Sequence, residues 1–289
     1  MSANMEDFPK PYCTLLARTS CRRFDSTPLP EQNLQNVQNA LLRIKPLQTG
    51  QKIDFLLVNE MDKAHLTVAQ GAYGRFINSP HLMIPYCPTI PNALLELGFQ
   101  SQQAVIHLEE LGLASCYIGA HGRVRKLQEE FELPQDSRLA AVLMYGTPAD
   151  AHIENSLNQS IRTLFGSRKR HPLEHLFLAA SSESPYRCPV QWQPVLEAGR
   201  WAPSATNAQP WHLLPGENDF QLFTDPSAYP IVLSAGSKLM YALYDAGIFM
   251  ANISLAASAL GTRAEWQLNK DMRISERKSL LPIARLTLS

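Results

Sequence analysis

The apolar positions along the chain fall into two matching series. Residues 98–112, GFQSQQAVIHLEELG, run from Gly98 to Gly112, and Leu97, Ala104, Val105, Leu108 and Leu111 make one helical stripe. Residues 247–261, GIFMANISLAASALG, run from Gly247 to Gly261 over the same length and are apolar nearly all round, the pattern of a wholly buried helix. Both patterns predict helices closed by a C-terminal glycine. Upstream, a segment beginning near Pro30 ends on Arg43-Ile44-Lys45-Pro46, and one beginning near Val190 ends on Arg200-Trp201-Ala202-Pro203. Each reads as a helix that stops before a proline. Each is followed by a candidate strand, over 53–58 or 211–214. The offset is 157 residues between the proline-ended segments and 149 between the glycine-bounded ones, so two copies of one unit, separated by a few insertions, are expected. Residues 139–145 and 283–288 read as further strands, 149–167 as irregular, and 181–185, SSESP, as the loop between the halves.

Composition narrows the class. The chain has 289 residues, 45% apolar and 18% charged, enough for one large domain or two medium ones. Twenty-six basic residues balance 26 acidic ones, which argues against a general attraction to nucleic acid or to an anionic membrane. The longest apolar stretch, 246–262, is broken by Asn252, Ser254 and Ser258 and is short for a bilayer span, so a buried core helix is expected. Cys13, Cys21, Cys87, Cys116 and Cys188 are scattered and never in CxxC spacing, so neither a disulfide framework nor a zinc site is expected. The opening MSANMEDFPKPY carries Glu6 and Asp7 and no apolar stretch of the secretory kind. A reduced, cytoplasmic setting is the expectation.

Candidate chemistry lies in three segments. No GxGxxG after a strand, GxxxxGK[ST], HExxH or GxSxG occurs, and His171 with His175 at helical spacing has no evident third ligand. The first segment is Arg18-Thr19-Ser20-Cys21-Arg22-Arg23-Phe24, where an extended chain would send Arg18, Ser20 and Arg22 to one side, towards an anion. The second is Pro203-Ser204-Ala205-Thr206-Asn207-Ala208-Gln209-Pro210-Trp211, a loop of small and amide residues between two prolines, suited to the polar edge of a flat heterocycle, with Trp201 and Trp211 as walls of an apolar slot. The third is Arg168-Lys169-Arg170, a candidate phosphate clamp. Taken alone, each basic cluster reads as exposed charge.

In this order the segments resemble the flavin mononucleotide (FMN) dependent nitroreductases. The resemblance rests on R-x-S-x-R at Arg18, Ser20 and Arg22, and on A-P-S-x-x-N-x-Q-P-W from Ala202 to Trp211. It also rests on G-L-x-S-C-x-I-G from Gly112 to Gly119, on Gly146-Thr147-Pro148, and on the basic segment before Pro172-Leu173-Glu174. The fold it implies is α+β, three-layer α/β/α, with two related halves of mixed, mainly antiparallel sheets flanked by helices about a pseudo-twofold. One departure is informative. In the family R-x-S-x-R and the Pro-Ser loop share one copy, whereas here the first half has Pro46-Leu47-Gln48-Thr49-Gly50 in place of that loop and the second half reads LEHLFLAASSESPY over 173–186 in place of R-x-S-x-R. Each half has lost what the other keeps.

Since family members are typically homodimers with FMN at the subunit interface, the resemblance implies a fused pseudo-dimer with one FMN site per chain. Residues 1–180 would form the half carrying the basic residues and 181–289 a degenerate half supplying the Pro-Ser loop. The implied flavin-binding set is Arg18, Ser20, Arg22, Cys116, Tyr117, Ile118, Gly119, Arg168, Arg170, Pro203, Ser204, Asn207 and Gln209, with Arg22 as the catalytic cation. The implied activity is ping-pong electron transfer from NADH or NADPH through FMN to a small planar acceptor of nitroaromatic or quinone type, by a monomer or a homodimer. Residues 64–79 and 149–167 would shape acceptor preference. The alternatives are a non-catalytic FMN-binding or redox-sensing protein and another flavin oxidation on the same fold.

Overall fold

The computed structural model describes residues 7–59, 61, 63–70, 77, 79–149, 169–178, 186–270 and 280–289. They group into two compact units, one of residues 18–165 and the other of 1–17 with 166–289.

The unit 18–165 is built on strands β1 (Asp54–Val58), β2 (His81–Tyr86), β3 (Ala114–Gly119) and β4 (Ala141–Gly146), in the order β1-β2-β4-β3 with every pair antiparallel. The inner strands β2 and β4 are buried on both faces, which is why β4 reads as an unbroken apolar run. Their side chains alternate between two cores. Met83, Leu143 and Tyr145 join Val37 of helix α2 (Glu31–Leu42) and Ala104, Val105 and Leu108 of α4 (Ala93–Glu110). Leu82, Ile84, Val142 and Met144 join Leu66 of α3 (Lys63–Gln70) and Leu127 of α5 (Val124–Glu130). Helices therefore cover both faces, the three-layer arrangement expected.

The polar run in the middle of α4 is buried rather than solvated. Gln100 accepts from Ile53 N at 3.2 Å and donates to Gln51 O at 2.8 Å, while Gln103 brackets the backbone N–H and C=O of Lys45. These amides satisfy the connection between α2 and β1, which would otherwise leave buried backbone groups without partners. At the start of β2, buried His81 accepts the Leu29 N–H at Nε2, so its ring is held neutral, and burial pushes its pKa down.

The second unit repeats the order. Helix α6 (Gln193–Arg200) leads to β5 (Trp211–Pro215) and β6 (Asp219–Thr224), then to α7 (Ala235–Ala259), β7 (Ala264–Leu268) and β8 (Leu281–Leu288). The sheet order β5-β6-β8-β7, again wholly antiparallel, is that of the first sheet element for element. The long helices also end alike. Gly112 and Gly261 take left-handed φ of 75° and 73°, and Leu113 N and Thr262 N reach back to Leu108 O and Ala257 O, both at 2.9 Å. Among the described residues, α7 alone is long and apolar enough to cross a bilayer, and most of it is buried within the protein as a core helix.

The units do not divide the chain at residue 180. Helix α1 (Lys10–Ala17) packs with α6 and α7, burying Tyr12 and Leu15 and donating from Tyr12 Oη to Pro194 O at 2.9 Å. Phe177 pairs in parallel with Leu213 of β5, and Leu178 N donates to Leu213 O. The expected loop over 181–185 lies outside the described residues.

Helix α6 lies close on α7 because Gly199 has no side chain. A Cβ there would stand 2.6 Å from Ile253 Cδ1 and 2.8 Å from Phe249 Cε2. Gly199→Ala is expected to destabilise the protein by about 1–3 kcal/mol through overpacking, read as a lowered thermal midpoint. An unchanged midpoint would show that the contact relaxes freely.

Candidate functional site

Two sets of the sequence-picked residues are brought together, one within each unit. In the first, residues 18–25 run beside β3. Ser20 pairs in parallel with Ser115, Cys21 N donates to Ser115 O at 2.9 Å, and Asp25 N donates to Thr147 O at 2.9 Å. Cys21 and Phe24 enter the core. Arg18, 8% exposed, lies in the electrostatic field of Tyr117, Glu109, Cys116 and Arg22. Burial drives its pKa down from the ordinary guanidinium value, against the pull of Tyr117, Glu109 and Cys116. Burial likewise raises the Cys116 thiol, against the pull of Arg22 and Arg18, and raises the Glu109 carboxyl, against that of Arg18.

Nη1 of Arg18 and Nη1 of Arg22 are both buried without a hydrogen-bond partner. Buried guanidinium donors left unmet are costly, and these two, within electrostatic range of each other, are chemically suited to an anion. Tyr117 Oη donates to Gln102 Oε1 at 3.0 Å, which fixes the ring beside them. Ile118 points its side chain into the core and Gly119 is exposed, so what these two can offer a ligand is backbone. One participant carries no signal in the sequence. Arg123 donates to Val68 O, Ala69 O and Gly119 O, tying the turn after β3 to α3. Its partners lie up to 55 residues away, and no local pattern announces them.

The second set surrounds the loop after α6. Thr206, Asn207 and Gln209 all adopt left-handed backbone, with φ of 54°, 57° and 49°. For non-glycine residues, and for β-branched Thr206 above all, this is strained and persists only where the surroundings impose it. Ser204 supplies part of that constraint, accepting from Gln209 N at its hydroxyl (2.9 Å) and from Asn207 N at its carbonyl (3.0 Å). Pro203, just before it, is half-buried. The basic segment supplies more. Arg170 donates to Asn207 Oδ1 at 2.8 Å, Asn207 Nδ2 and Gln209 Nε2 donate to Lys169 O, and His171 N donates to Gln209 Oε1 at 3.0 Å. Arg168 lies outside the described residues, as do 71–76, 78 and 150–167 of the segments expected to shape acceptor preference.

The two tryptophans part company. Trp211, 3% exposed, stacks on Phe249 with centroids 5.2 Å apart, so it is a core residue and walls no slot. Its place in β5 sends its ring onto α7. Trp201 carries the guanidiniums of Arg170 and Arg200 over its ring, at 5.4 and 5.3 Å, and donates from Nε1 to Glu197 Oε1 at 2.8 Å. His171 and His175 are exposed and stack on each other at 5.8 Å. Two further residues support the loop from below. Asp245 of α7 accepts the Ala205 N–H at 2.8 Å and the Tyr229 hydroxyl at 2.7 Å, both at Oδ2.

Known proteins give this geometry a setting. The model of a family described as "Putative TM nitroreductase" matches residues 12–257. A solved structure described as a putative nitroreductase from Thermotoga maritima superposes with a TM-score of 0.59 at 17% identity, covering 96% of this chain and 92% of that one. An FMN-dependent nitroreductase from Clostridium difficile aligns at 20% identity and TM-score 0.42, over 47% of this chain and 87% of that one. A structure described as an oxidoreductase containing FMN aligns at 16% identity and TM-score 0.47, over 58% of this chain and 91% of that one. No curated protein matches the chain in sequence.

Proposed function

The chain belongs to this nitroreductase family, matched over residues 12–257, and on that premise we propose that it is a flavoprotein oxidoreductase that binds FMN. It takes electrons from NADH or NADPH and delivers them to a small planar acceptor of nitroaromatic or quinone type. The observation that carries this reading is the pair of buried, unmet Nη1 donors on Arg18 and Arg22. An anionic cofactor with a phosphate at one end and a polar ring edge at the other meets donors of this kind.

The residues present fit FMN. Arg18 and Ser20 are suited to the ribityl and phosphate end, and Arg22 is suited to stabilising the negative charge of the reduced ring as a cation already in place. Within the first unit, backbone groups near Ile118 and Gly119 offer donors and acceptors for a ring edge. Within the second, Asn207 and Gln209, whose side-chain amides are held by Arg170, Lys169 and His171, would meet a ligand by exchanging those bonds, and Arg168 and Arg170 offer positive charge for a phosphate. FMN, when bound, supplies the redox chemistry by accepting hydride from a reduced nicotinamide and yielding electrons to the acceptor. The protein binds and orients the cofactor, and no described side chain is required as a proton donor. In this reading one chain holds one FMN, as a monomer or a homodimer in the cytoplasm.

The test is a titration of the purified chain with FMN, followed by anaerobic addition of NADH or NADPH. One FMN per chain, bleaching of the visible flavin band, and parallel double-reciprocal plots with a quinone are expected. Bound FMN that neither nucleotide bleaches would overturn the reductase reading. Two FMN per chain would overturn the single site.

A further inference from the structure

The strained turn after α6 needs something to hold it, and one buried carboxylate stands at its root. Asp245 is 2% exposed, deep in α7. Its Oδ2 accepts the Ala205 N–H, at the first residue of the turn that carries left-handed Thr206, Asn207 and Gln209, and the hydroxyl of buried Tyr229. An acceptor on a long core helix is a fixed point, and a backbone N–H bonded to it cannot swing to release the strain downstream.

The other half shows that this acceptor is part of the repeated unit. Asp245 stands two residues before Gly247, and Glu96 stands two before Gly98. Ala205 stands two residues after Pro203, and Gln48 two after Pro46. Glu96, also buried, accepts from Gln48 N at 2.6 Å and from Leu47 N at 3.0 Å. The same helix position therefore grips the same loop position in both halves. Past the gripped residue the two loops diverge. In the first half Gln100 and Gln103 bind the rest of the connection, and among residues 46–53 only Gly50 takes positive φ. In the second half the grip precedes three left-handed residues whose amides and carbonyls are the candidate ligand groups.

We propose that Asp245, braced by Tyr229, is a positioning residue that holds the turn of Ser204 to Gln209 in its ligand-binding conformation, whereas its counterpart Glu96 serves structure alone. The ligand is the FMN of the preceding subsection, so the proposal rests on that reading for what the turn binds. It does not rest on it for the clamp itself.

The experiment uses the full chain and the variants Asp245→Ala, Asp245→Asn, Tyr229→Phe and Glu96→Gln. Amide hydrogen exchange over 204–209 is measured without ligand, and FMN affinity is measured by fluorescence. Asp245→Ala is expected to speed exchange across the turn and to raise the FMN Kd about tenfold or more, the scale of losing a buried hydrogen-bond acceptor. Asp245→Asn keeps an acceptor oxygen and is expected to restore most of both. Glu96→Gln is expected to leave the FMN Kd within about twofold of wild type, since it touches no ligand group. If Asp245→Ala does not fold, Tyr229→Phe, which removes the brace, is expected to move exchange and Kd in the same direction to a lesser extent. Wild-type exchange over the turn in the folded variants would overturn the clamp. A Glu96→Gln variant that weakened FMN as much as the Asp245 variants would overturn its positioning role. A wild-type chain that binds no FMN, but whose turn loosens in Asp245→Ala, would overturn the flavin reading and leave the clamp standing.

Discussion

Arg18→Met is expected to abolish tight FMN binding while leaving the ligand-free protein at least as stable as wild type. The two effects share one cause. Arg18 is a buried cation whose Nη1 has no hydrogen-bond partner, and burial already presses its pKa down. A buried cation with an unmet donor carries a desolvation cost, which an apolar side chain of similar volume does not. The Glu109 carboxyl, which burial raises and Arg18 lowers, moves further up when Arg18 is removed, which softens the loss of its counter-charge. Truncating one member of a buried charged pair costs a complex roughly 2–5 kcal/mol, which is a loss in affinity of about thirtyfold to several thousandfold. Arg22→Met is expected to weaken binding on the same scale. Fluorescence titration with FMN and thermal denaturation of the same samples decide the matter together. Wild-type affinity in both variants would remove these arginines from the site. Conversely, FMN is expected to raise the thermal midpoint of the wild-type chain, because a ligand that binds only the native state stabilises it by mass action.

Asp245→Asn is expected to flatten the pH dependence of stability between pH 5 and pH 8. Burial raises the Asp245 carboxyl from its ordinary 3.8 to about 7, and the bonds from Tyr229 and Ala205 only partly oppose it. The native state thus holds a proton that the unfolded chain has released. That contribution is fully present below about 4 and is lost as pH rises through about 7, so stability from this group increases on acidification. A carboxyl raised to about 7 contributes on the order of 4 kcal/mol in the limit, and roughly 2–3 kcal/mol of it falls between pH 8 and pH 5. Tyr229 faces the carboxyl directly, and Tyr241 and Asp225 lie in the field of Tyr229. His81 acts in the opposite sense. Its lowered pKa means stability present above the ordinary value of 6.5 and lost as pH falls. The informative quantity is therefore the wild-type minus Asp245→Asn difference in urea unfolding free energy at pH 5 and pH 8. A difference independent of pH would refute the assigned titration.

What the sequence discloses is what local rules govern. Proline and glycine punctuation locates α2, α6 and the ends of α4 and α7, and unbroken or alternating apolar runs locate β1, β4, β5 and β8. The 203–211 loop stands out because its residue types are unusual together. What stays hidden depends on partners far along the chain. Strand β2 contains Pro85 and is buried on both faces, so it shows neither alternation nor a clean apolar run. Helix α1 is short, and its burial is decided by α6 and α7. Gln100 and Gln103 look like a solvated face until the loop they satisfy is in place. Asp245 stands just outside the apolar run and attracts no notice, and Trp211 reads as a binding-site wall, because in each case the deciding neighbour comes from another element. Arg18 and Arg22 are legible as chemistry, but burial gives them their force.

The packing of α1 also bears on how the protein is made. In synthesis this helix, carrying Tyr12 and Leu15, precedes the surfaces that bury it, α6 following it by roughly 180 residues and α7 by roughly 220. The unit 18–165 can fold in the meantime, while α1 waits as a short apolar tether ahead of it. A nascent chain halted after residue 165 should therefore hold a finished first sheet and an unsatisfied leading helix. That helix finds its place only once α6 and α7 have both been made.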